Sequence, residues 1–141
     1  MNHTGTKAIE TKRLILRRFT KDDIYPAYRN WASDEAVTRY LRWPTHKDIS
    51  TTEKVLNEWT AAYENPAFYQ WAIELKEIGE PIGTISVVGM NEMLKIVRIG
   101  YCIGSKWWRQ GITSEAFSAI IRFLFEDVEV NRILGTIPTI L

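Results

Sequence analysis

Hydrophobic and polar residues alternate along several segments of the chain with the two-residue period of a half-buried strand. In the clearest segment, every second position from 69 to 75 is a large hydrophobic residue. Similar patterns, and short apolar runs between turn residues, predict further strands at residues 13–17, 82–88, 94–103 and 132–137. A hairpin turn is predicted at Lys76–Pro81 and a loop at Gly89–Met93.

Three other segments carry the signatures of helices. Thr20 followed by Asp23 resembles a capping box for a helix that ends near Trp31, and a second such signature begins at Ser50. The third helix, Ile112–Phe125, is the most amphipathic. Its apolar face consists of Ile112, Ala116, Ala119, Ile120, Phe123 and Leu124.

The order of these elements predicts the fold. Short links join the three strands between residues 69 and 103, so these strands should form an antiparallel meander. The strand, helix and strand that follow require a right-handed parallel crossover. We therefore expect a mixed α/β fold, with a mostly antiparallel central sheet, one parallel crossover and flanking helices. The sequence has no repeat or low-complexity tract, which predicts a single domain over residues 1–141.

Composition and charge exclude several classes of function. With 141 residues, 45% hydrophobic and 25% charged, the chain resembles an ordinary soluble domain. A formal net charge of +1 does not indicate the strongly basic surface that would bind a nucleic acid or an anionic membrane. No apolar run approaches the roughly 18 residues of a membrane span, and residues 1–11 lack the apolar core of a secretory signal. We expect a cytoplasmic protein that binds neither nucleic acid nor membrane.

The single cysteine, Cys102, excludes an internal disulfide and gives no metal cluster. Cys102 could act as a nucleophile, but it lies in an apolar predicted strand with no histidine close in sequence. A small buried residue is therefore the favoured interpretation.

The turn between the strand at Ile96–Ile103 and the helix at Ile112–Phe125 carries the clearest chemistry. It contains Gly111 in a polar surrounding, and no general base or metal cluster lies near it. A helix that starts after such a turn has backbone N–H groups without intrahelical partners, and the positive end of its dipole lies there. These features predict an anion site, most often one for phosphate.

This turn also resembles a known motif. Trp108–Thr113 is similar to the acyl-CoA-binding motif of the GNAT N-acetyltransferase superfamily, Gln/Arg-x-x-Gly-x-Gly/Ala, and Ser114-Glu115-Ala116 is similar to its continuation in the RimJ/RimL-like branch. That branch acetylates ribosomal-protein N-termini and other amines. Further similar segments, in the family's order, are Glu10–Arg17, Gly79–Gly83, Ile99–Tyr101 and Asn131–Ile133.

The resemblance implies an acetyl-CoA-dependent enzyme that needs no metal and acts on a primary amine, either a peptide N-terminus or a small amine. It implies that the pantetheine arm pairs with the strand edge at Tyr101–Ile103, which includes Cys102. The amine would attack the thioester directly, and a main-chain N–H near Tyr101 or Cys102 would hold the oxyanion. The diphosphate would bind the backbone N–H groups of Arg109, Gln110, Gly111, Ile112, Thr113 and Ser114.

The sequence determines the roles of side chains less closely than those of the main-chain groups. Tyr101 is the best polar side chain near the implied thioester and is the candidate catalytic residue. Trp31, Tyr40 and Trp43 could form the wall of an acceptor pocket, or they could seal a core.

The sequence departs from the family pattern at three places. Trp108 replaces Gln or Arg, Thr113 replaces Gly or Ala, and Arg98 stands where the branch often has Glu. The third departure removes a carboxylate that could attract a cationic amine. The sequence ends at residue 141, before the position of the family's later helix and last two strands, so we expect a C-terminally truncated enzyme that self-associates, for example as a homodimer. The alternatives are a non-catalytic CoA-binding remnant and a fragment that acts through self-association.

Overall fold

The computed structural model describes residues 1–39 and 45–135. Its centre is a six-stranded sheet in the order β1-β2-β3-β4-β5-β6. The strands are β1 (Ile9–Glu10), β2 (Leu14–Arg17), β3 (Gln70–Leu75), β4 (Glu80–Asn91), β5 (Ile96–Ile103) and β6 (Arg132–Gly135). The α-helices are α1 (Ile24–Ala27), α2 (Glu35–Thr38), α3 (Ile49–Ala62) and α4 (Ile112–Glu126). A 3-10 turn, Lys21–Asp23, precedes α1, a π-helical segment, Tyr28–Ala32, follows it, and a second 3-10 turn is Ser105–Trp107.

The predicted meander and the predicted crossover are both confirmed. Strands β3, β4 and β5 pair antiparallel in sequence order. Strand β6 pairs parallel with β5, from Ile96↔Arg132 to Ile99↔Gly135, and α4 forms the connection between them. The fold is therefore the mixed α/β architecture that the hydrophobic pattern predicts.

Two local predictions are corrected. β4 continues to Asn91, where a loop was predicted, because a bulge at Val88 absorbs the register shift and the pairing with β5 resumes at Gly89. The cap of α3 is Asp48, whose carboxylate accepts from the Ser50 N–H, so the helix starts before the predicted Ser50 cap. The short β1 was not predicted from the pattern.

Two hydrophobic clusters lie on opposite faces of the sheet. Because side chains alternate along a strand, Ile99 and Tyr101 of β5 pack with α4. Cys102 faces the other way and packs with α1, the π-helical segment and α3. The strand that leads into the predicted anion site is therefore fixed from both sides.

Candidate functional site

The start of α4 presents a row of unbonded amides. Gly111 caps the helix with φ 75° and no side chain caps the helix start. Glu115 is the first residue whose N–H bonds back, to the Gly111 carbonyl at 3.1 Å. Within the described residues, the N–H groups from Arg109 through Ser114 donate to no acceptor. The turn thus leaves its amides available to a ligand, as the sequence predicts.

The backbone of this turn has a shape that suits an anion. Arg109 and Gly111 both have positive φ, 61° and 75°. Left-handed residues in a turn can direct successive N–H groups into one concavity, which is a common anion-binding arrangement. Arg109, Gln110, Gly111 and Ser114 are exposed, while Ile112 is buried and anchors the helix start in the core. The amides are therefore held rigidly at the surface.

Arg13, immediately before β2, places its guanidinium beside this turn. Its Nη1 donates to the Gln110 carbonyl at 2.8 Å, and its Nη2 lies 3.5 Å from the position that a Cβ on Gly111 would occupy. Its Nε donates to the Glu115 carboxylate at 2.7 Å. No local sequence pattern indicates Arg13 as a site residue, because 97 positions separate it from Gln110.

The edge of β5 beyond Ile99 is the second part of the site. The pairing with β6 is described as far as Ile99, which lies opposite Gly135, the last described residue. The Gly104 N–H donates to the Ile82 carbonyl of β4 at 2.8 Å, and backbone groups alternate in direction along a strand. The main chain of Cys102 therefore faces β4, whereas that of Tyr101 and Ile103 faces away from it. Of the three residues predicted to form the edge, only Tyr101 and Ile103 direct their backbone N–H and C=O groups away from β4.

Trp108 occupies part of this edge. Its indole Nε1 donates to the Ile103 carbonyl at 2.9 Å. A partly buried tryptophan N–H usually has a hydrogen-bond partner. A tryptophan directly after a predicted strand could therefore have indicated that its indole would bond to the end of that strand. The carbonyl and N–H of Tyr101 and the N–H of Ile103 remain as the edge groups that face away from β4.

Tyr101 places its ring on the α4 face of the sheet. The ring is edge-on to that of Phe117, with centroids 5.8 Å apart. Burial raises the pKa of the Tyr101 phenol, which keeps the hydroxyl a donor across the neutral range. The hydroxyl has no hydrogen bond to any residue in the described ranges.

The other predicted side chains are placed away from the α4 turn. Burial raises the pKa of the Cys102 thiol to about 12, so a thiolate nucleophile is disfavoured. Trp31 is 1% exposed and packs against Phe19, which corrects the pocket-wall prediction in favour of the core alternative. Tyr40 and Trp43 lie outside the described residues.

The described ranges contain no group of three or more His, Cys, Asp or Glu side chains that could hold a metal ion. No helix in them is both long and apolar enough to span a membrane.

Comparison with known sequences connects this geometry to a family. The acetyltransferase (GNAT) domain matches residues 13–139. The uncharacterized N-acetyltransferase YoaA of Bacillus subtilis (strain 168) is 31% identical over 131 residues, which are 93% of this chain and 73% of that protein. The uncharacterized N-acetyltransferase p20 of Bacillus licheniformis is 28% identical over 127 residues, 90% of this chain and 71% of that protein.

Solved structures share the fold. A putative ribosomal-protein-serine acetyltransferase from Vibrio cholerae has a TM-score of 0.81 at 22% identity, covering 92% of this chain and 73% of that one. RimL, a ribosomal L7/L12 alpha-N-protein acetyltransferase solved in complex with coenzyme A, has a TM-score of 0.79 at 18% identity, with coverage of 92% and 73%. The sequence match and the architecture agree, and the chain belongs to the GNAT acetyltransferase family.

Proposed function

We propose that the protein transfers the acetyl group of acetyl-CoA to a primary amine, either a peptide N-terminus or a small amine. The observation that carries this proposal is the row of unbonded amides at the start of α4, beside the edge of β5. Bound acetyl-CoA supplies the acetyl group as a reactive thioester. The residues present fit this group, because a diphosphate needs several N–H donors and a surface without a blocking side chain.

Main-chain groups do most of the binding in this proposal. The amides from Arg109 through Ser114 hold the diphosphate, and the Arg13 guanidinium lies beside them. The backbone of Tyr101 and Ile103 pairs with the amide-containing arm as an added strand would. This differs from the sequence-based set in two respects: Arg13 is added, and Cys102 is left out because it directs its backbone to β4.

Tyr101 is the proposed catalytic residue. Its main-chain N–H faces away from β4 and would donate to the carbonyl oxygen on which negative charge develops, and such donors typically contribute a factor of about 10²–10³ in rate. Its phenol remains protonated because burial raises its pKa, so it can donate to the departing thiolate. RimL was solved in complex with coenzyme A, which supports the proposal that this fold binds CoA here. As part of the proposal, we also extend to this chain the type of acceptor named for RimL, a ribosomal protein.

Binding of CoA is tested by titration calorimetry. Ser114→Pro removes one free amide, and proline is tolerated in the first turn of a helix. Ser114→Ala removes only the hydroxyl and is the matched control. We expect Ser114→Pro to weaken CoA binding by roughly ten- to a hundredfold, since a hydrogen bond to a charged group contributes about 1.5–3 kcal/mol, and Ser114→Ala to have little effect. Absence of binding to the wild-type protein at millimolar CoA would overturn the proposal.

A second candidate function is CoA binding without catalysis. The observation that favours it is the composition of β5, which contains no Asp, Glu or His and has Arg98 as its charged residue. Release of free thiol from acetyl-CoA in the presence of a panel of amines separates the two candidates. Turnover above the uncatalysed rate supports the transferase, and binding without turnover supports the second candidate.

A further inference from the structure

Arg109, in the turn before α4, is held in a conformation that costs free energy. Its φ is 61°, in the left-handed region that residues with a side chain rarely adopt. Such strain persists only where the surrounding structure holds it in place. Because Arg109 is exposed, packing of its side chain does not supply this constraint. Contacts with the main chain of the turn are therefore needed.

One main-chain contact restrains the residues that follow Arg109. The Gln110 carbonyl accepts from Arg13 Nη1 at 2.8 Å. No other main-chain group of residues 109 and 110 has a partner in the described ranges. The Gln110 side chain adds only a 3.4 Å contact with the Lys106 carbonyl. Since Arg13 Nη2 also lies 3.5 Å from the position of a Cβ on Gly111, the guanidinium contacts two successive residues of the turn.

Arg13 is itself fixed to the rest of the fold. Its main-chain carbonyl accepts from the N–H of Lys76, just after β3, at 2.9 Å. The Glu115 carboxylate accepts from its main-chain N–H at 2.9 Å and from its Nε at 2.7 Å. The sheet and α4 therefore hold the guanidinium in place. Glu115 also offsets its positive charge, so attraction of a distant anion is a minor part of what Arg13 contributes.

The contact with Arg13 determines where one amide of the turn points. The peptide bonds of the described residues are trans, and in a planar trans peptide the C=O and N–H point in opposite directions. Because the Gln110 carbonyl is directed toward Arg13, the Gly111 N–H is directed away from it. A charged donor on the carbonyl also polarises the peptide and makes its N–H a stronger donor. Arg13 thus acts on this amide from the side opposite a bound anion.

We propose that Arg13 is a positioning residue for the diphosphate of CoA, which it serves by holding the Gln110–Gly111 peptide and the left-handed Arg109 without contacting the ligand. This inference rests on the proposed acetyltransferase function. With Arg13 present, the fold carries the strain of residue 109 before the ligand arrives. Without Arg13, the turn relaxes, and the ligand binds more weakly because only a fraction of the molecules has the competent turn.

The test is a double-mutant cycle between Arg13 and residue 109. Arg13→Met removes the N–H donors. Arg109→Gly removes both the charge and the strain, since glycine adopts positive φ freely, whereas Arg109→Gln removes the charge alone. Comparing glycine with glutamine in both backgrounds cancels the effect of charge and that of glycine on the unfolded chain. If Arg13→Met does not fold, Arg13→Lys replaces it, because lysine keeps a charge for Glu115 but lacks the planar fork.

Two measurements should respond in opposite ways. By titration calorimetry, Arg13→Met should bind CoA roughly five- to thirtyfold more weakly, the scale of one left-handed L-residue. In that background glycine at position 109 should bind CoA about fivefold more tightly than glutamine, and with Arg13 present the two should bind equally. By thermal unfolding without ligand, the Tm advantage of glycine over glutamine should be about 3 °C larger with Arg13 than without it.

Two controls address charge and strain separately. Lys12→Met removes a positive charge from the exposed neighbour of Arg13 and should leave CoA affinity unchanged. Lys95→Gly relieves a left-handed residue in the β4–β5 hairpin, with φ 56°, and should not restore CoA binding to Arg13→Met. In turnover, Arg13→Met should raise the KM for acetyl-CoA and leave kcat near that of wild type, because the loss is one of binding.

The inference is overturned if glycine and glutamine at position 109 differ equally in the two backgrounds, or if Lys95→Gly restores binding. It is also overturned if Lys12→Met weakens binding as much as Arg13→Met, or if Arg13→Met lowers kcat at an unchanged KM. Each of these results leaves the transferase intact. Absence of CoA binding to the wild-type protein overturns the proposed function instead. In that case, coupling in Tm between Arg13 and residue 109 still supports the hold on the turn, and its absence overturns it.

Discussion

The carboxylate of Glu115 binds Arg13 through two atoms, at 2.7 Å to the side-chain Nε and 2.9 Å to the main-chain N. It also accepts from the Thr11 hydroxyl at 2.6 Å. The carboxylate of a glutamate in the first turn of a helix could accept hydrogen bonds from the free amides of that turn. The Glu115 carboxylate instead accepts from Thr11 and Arg13, just before β2. The contact fixes the start of α4 to the sheet and leaves the amides of the turn unblocked.

We expect Glu115→Gln to destabilise the protein by about 1 kcal/mol, because the Arg13 side chain is partly exposed and solvent weakens the ion pair. Although burial alone would raise the pKa of Glu115, the hydrogen bonds from Thr11 and Arg13 outweigh it and lower the pKa. A carboxylate with a lowered pKa stabilises the fold above its unfolded-state pKa and loses that contribution as the pH falls through the folded-state value.

The difference in unfolding free energy between wild type and Glu115→Gln should therefore be constant near neutral pH and shrink as the pH falls below about 4. Urea denaturation across this range measures it. Glu58→Gln, an exposed position on α3, is the control and should show no such trend. A difference that persists unchanged at pH 3 would contradict this prediction.

Gly111→Ala tests the left-handed cap of α4. The residue has φ 75°, and an L-residue in this conformation costs about 1–2 kcal/mol. We expect a comparable loss of stability and CoA binding about fivefold weaker, a change of about 1 kcal/mol. Gly79→Ala is a matched control, since Gly79 has φ 65° with no atom near its Cβ position. It should lose stability similarly and bind CoA normally, and equal loss of binding in both variants would refute the role of the turn.

Cys102→Ala should retain acetyl transfer. The thiol is buried with its pKa raised to about 12, so at pH 8 almost none of it is thiolate. We also expect the folded wild-type protein to resist iodoacetamide at this pH and to react once it is denatured, as followed by intact-mass spectrometry. Fast alkylation of the folded protein, or loss of turnover in a folded Cys102→Ala, would show that the thiol takes part in the chemistry.

Tyr101→Phe should reduce kcat at least tenfold with little change in the KM for acetyl-CoA, because a proton donor contributes typically about 10²–10⁴ in rate. Its stability should stay near that of wild type, since the lost hydroxyl has no partner among the described residues. Tyr25→Phe, at an exposed residue, is the control. An unchanged kcat in Tyr101→Phe would remove the phenol from the mechanism and leave the main-chain N–H as the only contribution of Tyr101.

Asp23→Asn tests a buried ion pair that supports α1. The Asp23 carboxylate accepts from Arg17 Nη1 at 2.8 Å and Nη2 at 2.9 Å, and from the Thr20 N–H at 2.8 Å. Arg17 keeps its second ion pair, with Glu74 at 2.8 Å, so the expected cost is that of weakened hydrogen bonds to a charged group, about 1.5–3 kcal/mol. Thermal unfolding should show a large decrease in Tm, while Asp22→Asn, at the exposed neighbouring position, should not. Equal Tm values for the two variants would contradict the assignment.

The spacing of hydrophobic residues was sufficient to predict the helices and strands that bury one face. The start of α4 at Ile112, the meander and the parallel crossover follow from the spacing of hydrophobic residues. The capping box at Thr20 and Asp23 was also predictable, because it is local and depends on residue type. Such features need no knowledge of distant parts of the chain.

Contacts between distant residues could not be predicted in the same way. The bulge at Val88 carries β4 past Gly89, because pairing with β5 outweighs the turn preference of a glycine. Arg13 and Glu115 are 102 positions apart, so no local pattern shows that they meet. The alternation along β5 predicts that Tyr101 and Cys102 direct their main-chain groups in opposite directions. The register between β4 and β5 was needed to decide which of the two faces away from β4.

The exposure of Ser114 in the first turn of α4 has a practical consequence. A dye attached through Ser114→Cys would lie in solvent next to the free amides without replacing any of them. Since the chain's one native cysteine is buried, a maleimide would label this position selectively in the folded protein. The molecule is thus suited to conversion into a fluorescent reporter of its own ligand.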